Sequence, residues 1–124
     1  MLNYINAITE EKSYSGLQMK EFKPVMKLII RGKKREFLSA IGKSLNLLLP
    51  TEANTSSRSD KLTALWLSPD EWMVHSNETI NSESNEYETE NLLNKNISKT
   101  NLGAVTNVTD QFVLINIKGD KIFD

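Results

Sequence analysis

The sequence predicts an α+β domain in which two helices lie on one face of an antiparallel sheet. Three observations point there. Short apolar runs rich in β-branched residues stand between turn formers, as in Val25-Met26-Lys27-Leu28-Ile29-Ile30-Arg31 between Pro24 and Gly32. Longer stretches carry apolar residues at helical spacing, as in Phe37, Leu38, Ile41, Leu45 and Leu48. Both tryptophans, Trp66 and Trp72, flank the turn sequence Ser68-Pro69-Asp70-Glu71. A bulky indole is placed where its area is buried and its N–H satisfied, so this pair marks the organising centre of a packed domain.

The elements follow in order. Residues 1–24 are polar and irregular and are expected to form an N-terminal arm, with a short strand near Leu17 to Phe22. The run from Val25 to Arg31 is the first strand of the domain. A helix is expected over 34–48 and ended by Pro50. Gly42 weakens its middle by up to about 1 kcal/mol relative to alanine. Residues 51–61, rich in Thr, Ser and Asn, read as a loop.

Residues 62–67 and 72–75 read as two strands of a hairpin. Ser68 at the first position and Pro69 at the second fit a type I turn. On the return strand Trp72 and Val74 share one face, Met73 and His75 the other. The polar stretch 76–90 is a solvated connection. A second helix is expected over 85–99, with Tyr87, Leu93 and Ile97 as a thin apolar stripe. Its acidic start and basic end (Lys95, Lys99) suit the helix dipole.

A fourth strand is expected over 103–108, a turn at Asp110-Gln111, and a fifth strand over 112–118 ended by Gly119. The order β-α-β-β-α-β plus an extra strand is ferredoxin-like, with the first strand central. After Gly119, Asp120 could cap a helix beginning at Ile122 and Phe123. The chain stops at Asp124, so the domain is expected to be incomplete at its C-terminal end.

At 124 residues the chain suits one domain, with 39% apolar and 25% charged residues. It has no cysteine, which excludes disulfides, thiolate metal sites and thiol nucleophiles. A single histidine, His75, excludes a His-based metal cluster within the chain. The net charge of −1 conceals an asymmetry. Residues 1–62 hold eleven Lys/Arg against six Asp/Glu, and residues 63–124 hold four against ten. Neither half is extreme enough to imply nucleic acid. No leader and no long apolar run is present, so a cytoplasmic protein without a membrane span is expected.

The candidates for chemistry are few. Asp70 and Glu71 are adjacent carboxylates, but acid–base pairs need a pocket that separates their pKa values, and adjacent turn residues are usually solvated. His75 could act as a general base, yet no Ser-His-Asp or Cys-His pattern surrounds it. Arg31-Gly32-Lys33-Lys34-Arg35 could meet phosphates or an acidic protein surface, although no aromatic residues interleave as a single-strand binder would need. Gly32, Gly103 and Gly119 form no nucleotide-binding loop. Asp110 reads as a turn acceptor. From the residues alone, no catalytic, cofactor-binding or metal site is assigned.

Several segments together resemble the gamma subunit family of heterotetrameric sarcosine oxidase. Ala64-Leu65-Trp66-Leu67-Ser68-Pro69-Asp70-Glu71-Trp72 is similar to that family's most characteristic stretch, with Ser68 where a glycine often precedes the proline. The helix from Phe37 to Leu49 with Pro50 and Asn54, the segment Ala104-Val105-Thr106-Asn107-Val108-Thr109-Asp110-Gln111, and Ile117-Lys118-Gly119 follow in the same order. The resemblance covers residues 25–124. Its motif residues, read as structural, are Trp66, Pro69, Asp70, Glu71, Trp72, Asp110 and Gly119.

The resemblance implies a fold related to the folate-binding domain of aminomethyltransferases. It implies a non-catalytic subunit beside alpha, beta and delta subunits. Such a complex demethylates sarcosine oxidatively to glycine, produces hydrogen peroxide and passes the one-carbon unit to tetrahydrofolate. FAD, FMN, NAD and zinc would belong to the other subunits. Two alternatives stay open: a subunit of a related N-methyl amino acid dehydrogenase complex, and a stand-alone folate-binding protein of the aminomethyltransferase type.

Overall fold

The computed structural model describes residues 12–21, 25–76, 78, 87–98 and 101–122. They fall into two compact units: Val25–Thr109, and the described residues of Met1–Pro24 together with those of Asp110–Asp124.

The first unit holds a five-stranded antiparallel sheet and two helices. Its strands are β3 (Met26–Gly32), β4 (Ser56–Arg58), β5 (Leu62–Ser68), β6 (Glu71–Ser76) and β7 (Gly103–Asn107), in sheet order β4-β5-β6-β3-β7. As expected, β3 lies inside the sheet, between β6 and β7. Alternation then sorts its residues. Met26, Leu28 and Ile30 face the core opposite Ser76, Val74 and Trp72. Leu62, Ala64 and Trp66 continue that face onto β5, and Val105 onto β7.

Helix α1 (Arg35–Leu45) buries Phe37, Ile41 and Leu45 in this core, and helix α2 (Glu88–Ile97) buries Leu93 and Ile97. Both helices feed one apolar cluster, so they share the same face of the sheet. Tyr87, just ahead of α2, is buried with them. The first turn of α2 is held by Glu78. Its carboxylate accepts the Thr89 N–H at 2.8 Å and the Thr89 hydroxyl at 2.6 Å. A carboxylate there satisfies an orphan donor and suits the positive end of the dipole.

The elements depart from expectation at several places. Helix α1 ends at Leu45, not Leu48, and Pro50 is not what ends it. Asn46 takes the left-handed conformation (φ 52°), and the Leu47 N–H reaches back to the Gly42 carbonyl at 3.1 Å. That is a Schellman ending, which asparagine tolerates. Leu48 is thereby outside the helix and exposed, while Leu47 is buried. Second, the loop 51–61 contains β4, which pairs with β5. Third, α2 begins only at Glu88, with Tyr87 extended ahead of it, whereas residues 85–86, Lys99 and most of the connection 76–90 lie outside the described residues. Fourth, the last strand is shorter than expected. Residues Thr109–Gln111 form a 3₁₀ turn, and β8 is only Ile115–Lys118.

That last strand belongs to the second unit. There β1 (Lys12–Tyr14), β2 (Leu17–Glu21) and β8 form an antiparallel sheet in the order β1-β2-β8. The strand expected near Leu17 is therefore present, preceded by another. Ile117 lies opposite Met19 and Ile115 opposite Glu21. Residues 120–122 form a turn where a helix start was expected, and Phe123 and Asp124 lie outside the described residues.

Candidate functional site: the tryptophan hairpin and the groove beside helix α1

The hairpin β5–β6 forms as its turn chemistry dictates. Pro69 and Asp70 occupy the turn, Ser68 and Glu71 pair across it, and the register shifts between Trp66 and Ser68. The Ser68 hydroxyl donates to Asp70 Oδ1 at 2.9 Å, closing the turn from within. Trp66 and Trp72 are direct cross-strand partners and face the core together. Cross-strand aromatic pairs of this kind stabilise a hairpin by up to about 1 kcal/mol.

Trp72 is only 2% exposed, and its indole N–H donates to the Pro50 carbonyl at 2.7 Å. The Trp66 N–H donates to the Thr55 carbonyl at 3.0 Å. The hairpin thus holds the segment that follows α1 from two points. On its other side the Gly32 N–H donates to the Asp70 carbonyl at 3.0 Å, and Arg31 pairs with Glu71 at 2.7 Å. Arg31 is 65% exposed, so that pair contributes less than about 1 kcal/mol.

These contacts give the adjacent carboxylates separate employment. Asp70 accepts from Ser68 and Glu71 pairs with Arg31. They do not share a proton-binding pocket. His75 lies on the sheet face opposite the core, opposite Lys27 on β3 and Thr63 on β5. Its pKa is lowered from the ordinary 6.5 by burial first, then by the positive charges of Lys27 and Arg58. Two cations favour a neutral imidazole but supply no carboxylate to orient it as a base.

Lys27 was not singled out by sequence reasoning. It is 4% exposed, and its Nζ lies 3.2 Å from the Val25 carbonyl and 3.4 Å from the Thr109 carbonyl. Its backbone N–H donates to Thr109 Oγ1 at 3.0 Å. It pins the end of the unit to the start of β3. A lysine at an alternate strand position carries no sequence signal for such burial.

Asp110 is exposed within the 3₁₀ turn. The acceptor at that turn is Asn107, whose Oδ1 takes the Thr109 N–H at 3.0 Å, and not Asp110 as expected. Gly119 has φ 141°, and a Cβ there would stand within 2.1 Å of the Gly16 carbonyl oxygen. Only glycine meets both conditions. Of the motif residues, the structure gathers Trp66, Pro69, Asp70, Glu71 and Trp72 in one hairpin. Asp110 and Gly119 belong to the other unit.

Beside α1 lies an open groove of about 600 Å³. Leu38, Leu47, Leu49 and Trp72 supply its apolar lining, and Arg35 and Lys43 its charges. Among the described residues, no three His, Asp or Glu side chains gather as a metal site would require. No described helix is long and apolar enough to cross a membrane.

No protein-family model and no curated protein matches this sequence. Among solved structures, a chain of the heterotetrameric sarcosine oxidase from Corynebacterium sp. U-96, in complex with pyrrole 2-carboxylate, is similar in fold. The TM-score is 0.72 at 17% identity, over 88% of this chain and 53% of that chain. This chain therefore spans about half the length of the chain it matches. At that identity the likeness is one of fold: a mixed helix-and-sheet protein built like a sarcosine oxidase subunit.

Proposed function

We propose that this chain is a non-catalytic, gamma-type subunit of a heterotetrameric sarcosine oxidase. The observation that carries the reading is the fold likeness to a chain of such an enzyme. The tryptophan hairpin supports it, because the stretch most similar to the gamma family is also what organises the core. So does the employment of Asp70 and Glu71 in turn and strand contacts.

The unit Val25–Thr109 is read as ferredoxin-like. Helix α1 between β3 and β5, α2 between β6 and β7, and the sheet order β5-β6-β3-β7 support that reading. In this proposal residues 1–24 are an arm, residues 25–124 the gamma-like domain, and the fold is related to the folate-binding domain of aminomethyltransferases. The complex would demethylate sarcosine to glycine and pass the one-carbon unit to tetrahydrofolate. FAD, FMN, NAD and zinc would be carried by the alpha, beta and delta subunits.

Co-expression with flavin-carrying subunits of a sarcosine oxidase tests this. The tagged chain is expected to bring them down in fixed stoichiometry, and sarcosine-dependent peroxide production is expected only from the assembled complex. A chain that stays monomeric in their presence sinks the proposal. Saturable tetrahydrofolate binding by the isolated chain, read by calorimetry, would replace it with the stand-alone folate-binding reading.

A further inference from the structure

We propose that the groove beside α1 is a docking surface for an acidic polypeptide segment with an apolar anchor, contributed by another subunit. The source of the segment rests on the subunit reading above; the chemistry of the groove does not.

The apolar part of the groove is held out in water by design of the turn, not by fraying. Leu48 stands at its rim 85% exposed. The turn that presents it is tied at three successive points. The Leu47 N–H donates to Gly42, the Ser57 hydroxyl donates to the Leu48 carbonyl at 2.5 Å, and the Trp72 indole donates to Pro50. An exposed leucine on an ordered turn, next to an apolar floor, presents area that a partner can bury without ordering the chain first.

The charges say what kind of partner. The groove is lined by two cations and no carboxylate. Among the described residues, neither Arg35 nor Lys43 forms an ion pair. They stand eight residues apart on α1, about 12 Å along its axis. An extended strand with carboxylates four residues apart spans about 13 Å. A Glu-x-Leu-x-Glu segment thus sets one carboxylate at each cation and its leucine against Leu48 and the floor.

The polar groups of the groove (Ser39, Asn46 and Thr51) are all exposed. No buried donor is aimed inward as a compact small-molecule site requires. An open channel along a helix suits a polypeptide instead.

The test uses the isotope-labelled full chain and the peptide acetyl-Ser-Glu-Ser-Leu-Ser-Glu-Ser-amide, followed by nuclear magnetic resonance. Saturable shifts are expected in α1, in residues 47–51 and at the Trp72 indole N–H, weakening as salt rises. Binding is expected to fall about tenfold or more in R35E/K43E and in L48S. All three side chains are exposed, and an unchanged urea midpoint checks that the variants fold. No saturable shift at millimolar peptide, shifts elsewhere, or equal binding of the peptide with lysines for glutamates would overturn the proposal.

In the co-expressed complex, the same variants are expected to lose the partner subunits. Variants recovered as well as wild type overturn the groove while leaving the subunit reading intact. A wild-type chain that binds the peptide but no flavoprotein subunit keeps the groove and removes that reading.

Discussion

Replacing Gly32 with alanine is expected to destabilise the protein although it adds a single methyl group to a strand. The reason is the ring of Phe37. A Cβ at Gly32 would lie 2.3 Å from Phe37 Cδ1 and 2.4 Å from Cε1. Carbon atoms in contact sit at about 3.5–4.0 Å, so the overlap exceeds about 1 Å. Phe37 is fully buried and its ring is not a flexible chain end. Gly103 lies directly opposite Gly32 on β7, and a Cβ there would lie 2.5 Å from Phe37 Cε2 and Cζ. The ring rests on a pair of facing glycines and is itself fully buried.

Overpacking a core costs about 1–3 kcal/mol, and an overlap of this size belongs at the top, about 3 kcal/mol. For a chain of this length that lowers Tm by about 12 °C. Urea unfolding followed by tryptophan fluorescence measures it through the midpoint at constant slope. The decisive measurement is the cycle with Phe37→Leu. In that background Gly32→Ala is expected to cost at least about 1 kcal/mol less. Gly103→Ala is the internal control, because its Cβ would also meet the Arg31 carbonyl oxygen at 2.5 Å, which Phe37→Leu does not relieve. A Gly32→Ala protein as stable as wild type, or one with the same cost in both backgrounds, refutes the reasoning.

Trp72→Phe keeps an aromatic ring but removes the donor to Pro50. A cost of about 2–3 kcal/mol is expected, with faster amide exchange in residues 47–51. Gly119→Ala meets the Gly16 carbonyl and an unfavourable φ together, so amide protection in β2 and β8 is expected to be lost; retained protection refutes the assignment. The lowered pKa of His75 means the unfolded chain takes up its proton at higher pH than the folded one. Stability from this group is complete above about pH 6.5 and is lost as pH falls through the folded-state value. His75→Gln should therefore show a smaller drop in urea midpoint between pH 7.5 and pH 5 than wild type.

What could be read from the sequence was local. The hairpin was legible because Ser68 and Pro69 specify a turn by their own geometry and Trp72 and Val74 alternate with Met73 and His75. The buried stripe of α1 was legible as periodicity, but its end was not. Leu48 continues the helical spacing, and Pro50 looks like the terminator until Asn46 adopts the left-handed conformation first. Strand β4 is three polar residues with no apolar alternation of its own, and it is extended in pairing with β5. The partner of β8 depends on pairing across about a hundred residues, which alternation within 115–118 cannot reveal. The groove was illegible for the same reason. Arg35 and Lys43 read as ordinary solvated cations until the turn after α1 brings the leucines beside them.

The hairpin explains why that turn can hold its shape. Three separate pieces of chain meet there, and each is tied by its own hydrogen bonds. Strand β3 is joined through Gly32 and Arg31, residues 47–50 through the indole N–H of Trp72, and residues 55–58 through the backbone of Trp66 and the pairing of β4. The backbone and indole ties use polar groups that would otherwise need water, so they are costly to break, whereas the exposed Arg31–Glu71 pair adds little. The same ties that engage Asp70, Glu71 and the Trp72 indole hold the surface beside them in place. A rigid apolar rim beside cations that no described residue pairs is useful for recognition because little ordering remains to be done when a partner arrives.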